Sequence, residues 1–308
     1  MIYTGGGNAV ILFDAPPDEP LRLAREFATR YSKQLLTDAP GLESALVHQA
    51  VAWNQRGAAQ PPNLRDALRL AWQNLAVRKA TRLRSTPLLG LGVSAACQAT
   101  GLPAAGYPPA AAKRSQTDRH FRVLSAEVLA KLEDALRDWS AARLQRMIPD
   151  LASWPLWYNL DASDPELASR GQGAYVAVVH ADGNSMGQRF LRLTHAADDD
   201  RAAVAALRSL SNAVNESGRL ALADCGRALA DAWDEKLQTL AQSISLPKGA
   251  IMPFRPLVYG GDDITFVCEG RLGLELAAHF LRCFETRAKQ QLAQSPTLGA
   301  LLPEKLHA

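Results

Sequence analysis

Cysteine is scarce in this sequence: its 308 residues contain four, and no two of them form a Cys-x-x-Cys pair. A pair at that spacing would predict a structural zinc ion, so we predict none. Scattered cysteines are typical of free thiols in a reducing compartment. A long apolar run and a secretory signal are also lacking, which leads us to expect a cytoplasmic protein with no membrane partner.

A large excess of charge is lacking as well. The formal net charge is +3, which is too small to predict nucleic-acid binding by itself. No Walker motif, Gly-x-Gly-x-x-Gly loop or Ser/His/Asp arrangement is visible, so the common nucleotide-binding and hydrolase signatures are excluded. Hydrophobic residues make up 47% of the chain, enough for a protein of this length to bury more than one core.

The most informative segment that is present is Tyr-Gly-Gly-Asp-Asp at residues 259–263, which lies between two apolar runs. This pattern predicts a β-hairpin with two carboxylates at its tip. Gly260 and Gly261 can adopt the positive φ angles of a tight turn and leave the backbone open to a phosphate chain. Asp262 and Asp263 repel each other unless a cation neutralises them, and Mg²⁺ and Mn²⁺ prefer such oxygen ligands.

The hairpin is therefore a candidate metal site for phosphoryl or nucleotidyl transfer. Taken alone, however, a Gly-Gly-Asp-Asp motif is more often an ordinary solvated turn, because Gly and Asp are common turn residues.

A second motif lies upstream, where an apolar run at residues 175–181 ends at Asp182 and a glycine-rich turn follows. This predicts a buried strand that ends in an acid. Helices are predicted from about 201 to about 240 and from about 272 to about 291, on either side of the hairpin. The resulting order of strand, helix, strand, turn, strand and helix is five-sixths of a ferredoxin-like βαββαβ unit. In that topology Asp182 comes next to Asp262 and Asp263.

The two motifs together, Ala-Asp-Gly-Asn-Ser-Met-Gly at residues 181–187 and the hairpin at 259–263, resemble the second palm domain of the large subunit of type III CRISPR effector complexes. A strand-turn-strand pattern at residues 3–13 is similar to the family's first palm. There Gly7 and Asn8 stand where the other hairpin has its two aspartates, in keeping with a first palm that lacks the metal-binding acids.

The resemblance implies an α+β fold with two ferredoxin-like (βαββαβ) palm domains, both incomplete at the chain ends, separated by a mainly helical insert. We place the first palm at residues 1–60, the insert at 61–165 and the second palm at 166–308. The further elements that we predict are helices at 19–36, 66–84 and 123–146 and a strand within 42–53.

The resemblance also implies a function, the synthesis of cyclic oligoadenylates from ATP with two Mg²⁺ or Mn²⁺ ions when target RNA is bound. Asp182, Asp262 and Asp263 would be the catalytic, metal-binding acids. The implied partners are other CRISPR effector subunits, with guide and target RNA bound through the complex. The residues that would bind the nucleotide are Gly183, Asn184, Gly187, Gly260, Gly261, Gly5, Gly6, Gly7 and Asn8.

Two alternatives stay open, a palm-domain cyclase of diguanylate type and a non-catalytic architectural subunit of an RNA-guided complex. His180 lies close to Asp182, but we predict it to be a core histidine because its strand is expected to be buried. The sequence shows neither the first strand and helix of the first palm nor the last strand of the second palm. We therefore expect a shortened chain with an open sheet edge along residues 175–181. We expect such a chain to show weak or no synthesis by itself.

Overall fold

A computed structural model describes residues 1–5, 7–14, 16, 19–55, 61–82, 95–107, 123–136, 148–149, 176–234, 236–237, 239–240, 244–245, 253–295 and 298. The fold is mixed α+β, and the described residues form six α-helices and several small antiparallel sheets. The chain divides into two compact units, one made of Met1–Leu12 and Arg143–Ala308 and the other of Phe13–Ala142.

The unit Phe13–Ala142 contains the helices α1 (Pro20–Asp38), α2 (Leu64–Thr81) and α3 (Ala126–Leu136). Proline at the start of α1 suits a helix because its fixed φ angle is already helical. The side chain of Asn63 caps α2 by accepting the N–H of Asp66 at 3.0 Å. The three helices predicted in this region are confirmed with small differences at their ends, the third beginning at Ala126 and not at residue 123, because Leu124 pairs with Gly106 in a β-bridge. Residues 83–84 and 137–146 lie outside the described residues.

The strand predicted within residues 42–53 is wrong, because this segment is irregular throughout. Its polar groups bond locally rather than to a neighbouring strand: Ala52 donates its N–H to the carbonyl of Pro62 at 2.8 Å. A ring nitrogen of His48 lies 3.2 Å from the carbonyl oxygen of Ala24 in α1. The expectation of a palm at the N-terminal end of the chain was therefore insufficient evidence for a strand here.

The unit Met1–Leu12 with Arg143–Ala308 carries the two sequence motifs. Its elements, in chain order, are β1 (Tyr3–Gly5), β2 (Asn8–Val10), β3 (Val176–Ala181), α4 (Met186–Ala196), α5 (Asp200–Asp231), β4 (Trp233–Asp234), β5 (Thr239–Leu240), β6 (Ile244–Ser245), β7 (Phe254–Gly260), β8 (Asp263–Glu269), a 3₁₀ turn (Gly270–Leu272) and α6 (Gly273–Ala293).

The main sheet is antiparallel with the strand order β3-β8-β7. This is the order that the sequence predicted for the first, third and second strands of the unit, and that part of the prediction is confirmed. Pro256 lies on β7, an edge of the sheet as described, where the register shifts between Pro256 and Val258. Proline is tolerated at such an edge because it has no N–H to contribute.

The helix predicted from about 201 to about 240 is too long, since α5 ends at Asp231. A small antiparallel sheet of β4, β5 and β6 follows it. The carboxylate of Asp234 accepts the N–H groups of Lys236 at 2.9 Å and Leu237 at 3.1 Å. An aspartate that bonds the backbone two and three residues ahead initiates a turn, and this turn reverses the chain where the sequence pattern still favoured a helix.

Helices α5 and α6 cover one face of the main sheet. On that face Ile264, Phe266 and Cys268 of β8 are at most 1% exposed. The ring of Phe266 packs against Phe254 of β7 and Phe280 of α6, with centroids 5.1 and 6.0 Å away. Burial of each phenylalanine contributes about 1.5–3 kcal/mol, so this aromatic row is a main source of stability for the sheet.

The opposite face of the sheet is open to solvent. Val176 and Val178 of β3 are 58% and 68% exposed, so the prediction of a fully buried strand at residues 175–181 is wrong for the part that is described. The strand alternates instead, because only one of its faces meets the helices.

The N-terminal hairpin of β1 and β2 is bound to α5 by a pair of hydrogen bonds. The hydroxyl of Ser211 accepts the N–H of Thr4 at 3.4 Å and donates to the carbonyl of Thr4 at 2.8 Å. Arg208 of the same helix donates to the carbonyl of Met1 at 2.9 Å, and Ile2 is 3% exposed. The hairpin is therefore an integral part of the unit that contains the aspartate motifs.

We predict that Ser211→Ala loosens this hairpin. The variant loses both bonds to Thr4 and should lower the free energy of unfolding by about 1 kcal/mol, with faster hydrogen exchange at the hairpin amides. Urea unfolding and hydrogen exchange measured by mass spectrometry test this.

Ser217→Ala is the matched control, since Ser217 is buried in the same helix but bonds only the carbonyl of Ala213 within it. Its hairpin amides should exchange at the wild-type rate. Equal protection of the hairpin in both variants would contradict the role of Ser211.

Candidate functional site

The strand register brings the ends of the two motifs together. Ala181, the last residue of β3, pairs with Ile264 of β8, and Gly260 of β7 pairs with Asp263. Asp182 follows Ala181 directly, so it lies at the same end of the sheet as Asp262 and Asp263. This adjacency is the one that the sequence predicted, while the metal-binding and catalytic roles of the three acids stay predictions.

The turn at the tip of the hairpin consists of Gly261 and Asp262. Gly261 has a φ of 82°, a left-handed conformation that strains any residue with a side chain. Gly260 is the last residue of β7, so only one of the two glycines is required by the turn itself.

The loop after β3 passes very close to this turn. A Cβ atom added to Gly183 would lie 2.7 Å from Cβ of Asp262 and 2.9 Å from Cγ of Met186. Glycine at this position therefore permits the close approach of the Asp182 loop to Asp262. Asn184 is exposed in the same loop, and Gly187 lies in the first turn of α4 with no atom within 4 Å of an added Cβ.

Burial and crowding disturb the ionisation of Asp262. Its pKa is raised above the usual 3.8, first by burial and then by the nearby carboxylates of Asp182 and Asp263, although its own backbone N–H acts in the opposite direction. The structure therefore places three acids close enough for their negative charges to repel one another.

Tyr3 links the N-terminal hairpin to this end of the sheet. Burial and the charge of Asp262 raise the pKa of Tyr3 to about 12. Its ring meets that of Phe190 in α4 edge to face, with centroids 4.3 Å apart. The N-terminal hairpin therefore lies within electrostatic range of the acids.

The other residues predicted to bind a nucleotide from this hairpin are placed only in part. Gly5 pairs with Asn8 across the hairpin, and Gly7 has a φ of 69° in the turn, whereas Gly6 lies outside the described residues. Whether these residues contact a nucleotide stays a prediction.

Asp263 has an unusual environment for a carboxylate. Its Oδ1 atom is buried and, among the residues that the structure describes, has no hydrogen-bond partner. The ring of His180, which is positively charged when protonated, places its Nδ1 3.5 Å away. An unpaired buried oxygen is costly, and a bound cation or a donor would relieve that cost.

The side chains of these acids are suitable ligands for a hard divalent cation, because Mg²⁺ and Mn²⁺ bind carboxylate oxygens. Within the described residues, no group of three or more His, Cys, Asp or Glu side chains is arranged to hold a metal ion.

His180 is not the core histidine that the sequence predicted. Its side chain is 61% exposed, and its Nδ1 lies 3.0 Å from Oγ1 of Thr265 on the neighbouring strand. The reason is strand alternation, which places His180 on the open face of the sheet. The signal that identifies it in the sequence is its spacing of two residues from Asp182, because residues two apart at the end of a strand are directed to the same side.

Compared with models of known protein families and with curated protein sequences, the chain matches none of them. The resemblance to the CRISPR large subunit therefore stays a prediction from the sequence motifs. Among the helices that the structure describes, none combines the length and the apolar character needed to cross a membrane.

We predict that Gly183→Ala is destabilising, because the added methyl group overlaps Asp262 and Met186. The expected loss is about 1–3 kcal/mol of unfolding free energy, measured by urea denaturation. Gly187→Ala is the matched control: its methyl group meets nothing and alanine favours a helix, so it should stabilise the protein by up to about 1 kcal/mol. A Gly183→Ala protein as stable as the wild type would show that the loop does not press on Asp262.

We also predict that Asp262→Asn stabilises the metal-free protein increasingly as the pH rises. The folded-state pKa of Asp262 is above 3.8, so proton binding stabilises the fold below 3.8 and this contribution is lost as the pH rises through the folded-state pKa. An asparagine at position 262 adds no such pH dependence to the free energy of unfolding. Urea unfolding in a chelator, at pH values from below 3.8 to neutrality, should show a growing advantage of the variant. An advantage that stays constant or shrinks with pH would contradict the assignment.

Proposed function

We propose that this chain is a cyclic oligoadenylate synthetase of a type III CRISPR antiviral system, a nucleotidyltransferase that joins ATP molecules when target RNA is bound. The observation that supports this most directly is the meeting of Asp182, Asp262 and Asp263 at one end of the β3-β8-β7 sheet.

In this proposal the three carboxylates hold Mg²⁺ or Mn²⁺. A divalent cation bound there would favour attack of a 3′-hydroxyl on an α-phosphate and neutralise the departing pyrophosphate. The chain's own part is to position the reactants. Glycine at 183 and 261 keeps the backbone beside Asp262 free of side chains, and the first turn of α4 presents backbone N–H groups towards which phosphate oxygens are attracted.

The proposed architecture consists of two ferredoxin-like palms, with the N-terminal hairpin belonging to the first. The contacts of Ser211 with Thr4 and the electrostatic coupling of Tyr3 to Asp262 support a site to which both hairpins contribute. The protein would act in the cytoplasm, with other effector subunits, guide RNA and target RNA as its partners.

We predict that Asp263→Asn abolishes synthesis, because an amide keeps the shape of the side chain but loses the charge that binds the cation. The loss should be at least the roughly 10–100-fold that follows loss of an outer-shell partner of a metal. The assay incubates the protein with ATP and Mn²⁺ and resolves the products by mass spectrometry. It is run on the chain alone and on the assembly that copurifies with a tagged copy, with target RNA.

Asp198→Asn is the control for charge, since Asp198 is an exposed aspartate outside the site and the variant should keep wild-type synthesis. Guanosine products from GTP would favour the diguanylate alternative. The absence of any nucleotide product from both the chain and its assembly would favour the architectural one.

A further inference from the structure

His180 occupies a position where the fold does not require a histidine. It pairs with Thr265 across β3 and β8, on the face of the sheet that the helices leave open. Val178, two residues earlier on the same face, is 68% exposed, and the side chain of His180 is 61% exposed. Packing therefore gives no reason for an imidazole here, and its contacts must be considered instead.

One of those contacts is with Oδ1 of Asp263, an atom of the candidate site. Nδ1 of His180 lies 3.0 Å from Oγ1 of Thr265 and 3.5 Å from Oδ1 of Asp263. That oxygen is buried without a hydrogen bond, although the side chain of Asp263 as a whole is 38% exposed. The exposed part of the carboxylate therefore excludes Oδ1, the atom nearest the imidazole.

We propose that His180 is a positioning residue for Asp263, whose Nδ1–H supplies the hydrogen bond that Oδ1 lacks and keeps the other carboxylate oxygen turned towards cation and nucleotide. This inference rests on the proposed function for the identity of that cation. Nδ1 is near both Oγ1 of Thr265 and Oδ1 of Asp263. In the tautomer that carries the proton on Nδ1, a shift of about half an ångström changes the 3.5 Å contact with Asp263 into a hydrogen bond. Outer-shell partners of this kind fix the orientation of ligating carboxylates.

The test is a comparison of Mn²⁺ affinity, measured by calorimetry or by electron paramagnetic resonance, in wild type and three variants at position 180. His180→Ala should weaken Mn²⁺ binding about tenfold. His180→Asn should recover most of the affinity, because its amide nitrogen lies near the place of Nδ1. His180→Gln should recover little, since its amide nitrogen corresponds to the far ring nitrogen.

Val178→Ala, on the same exposed face but away from the acids, is the control and should bind Mn²⁺ as the wild type does. In the ATP assay His180→Ala should lower kcat and leave the KM for ATP within about twofold, since the imidazole acts through Asp263 and not on the nucleotide.

The inference is overturned if His180→Ala binds Mn²⁺ as tightly as the wild type, if His180→Asn is as weak as His180→Ala, or if the wild type binds no Mn²⁺. Its failure is distinguishable from failure of the proposed function. The expected order of Mn²⁺ affinities without any adenylate product would sustain the positioning role and reject the synthetase. Adenylate synthesis by the wild type together with unchanged Mn²⁺ binding in His180→Ala would sustain the synthetase and reject the positioning role.

Discussion

The antiparallel register of β3 against β8 is the constraint on which the candidate site depends. Pairing of Ala181 with Ile264 decides that Asp182 lies at the hairpin end of the sheet, and it puts His180 opposite Thr265. A slip of one residue would move every side chain of β3 to the other face and turn His180 towards the helices. Close packing on the helix-covered face favours this register, because a Cβ atom added to Gly273 would lie only 2.5 Å from Cβ of Ala177.

A glycine in α5 allows this helix to pack closely against the hairpin of the candidate site. A Cβ atom added to Gly218 of α5 would lie 2.7 Å from Cδ1 of Ile264 and 3.2 Å from the carbonyl oxygen of Gly261. The middle of α5 therefore lies directly against the hairpin turn, and the same helix binds Thr4 one to two turns earlier through Ser211. One rigid element thus fixes the position of both hairpins.

What the sequence could predict was set by local signals and by topology. The glycine turn, the strands on either side of it and the adjacency of Asp182 follow from residue pattern and strand order. The turn that follows α5 is formed by two hydrogen bonds of the Asp234 carboxylate, which periodicity does not register. The docking of Thr4 on Ser211 joins residues 207 positions apart, so no window of sequence contains it. The exposure of His180 depends on which face of the sheet the helices cover, and this is decided by tertiary packing.

The docking of the first hairpin has a consequence for the order of folding. Residues Met1–Leu12 belong to a unit whose remainder begins at Arg143, so the unit closes a long loop when Thr4 meets α5. The entropy lost in closing a loop rises only slowly, by about 0.6 kcal/mol for each doubling of its length, which makes a long intervening segment thermodynamically tolerable. On the ribosome, however, the hairpin is synthesised before α5 and stays undocked until that helix emerges. Folding of this unit is therefore completed late, after α5 has emerged.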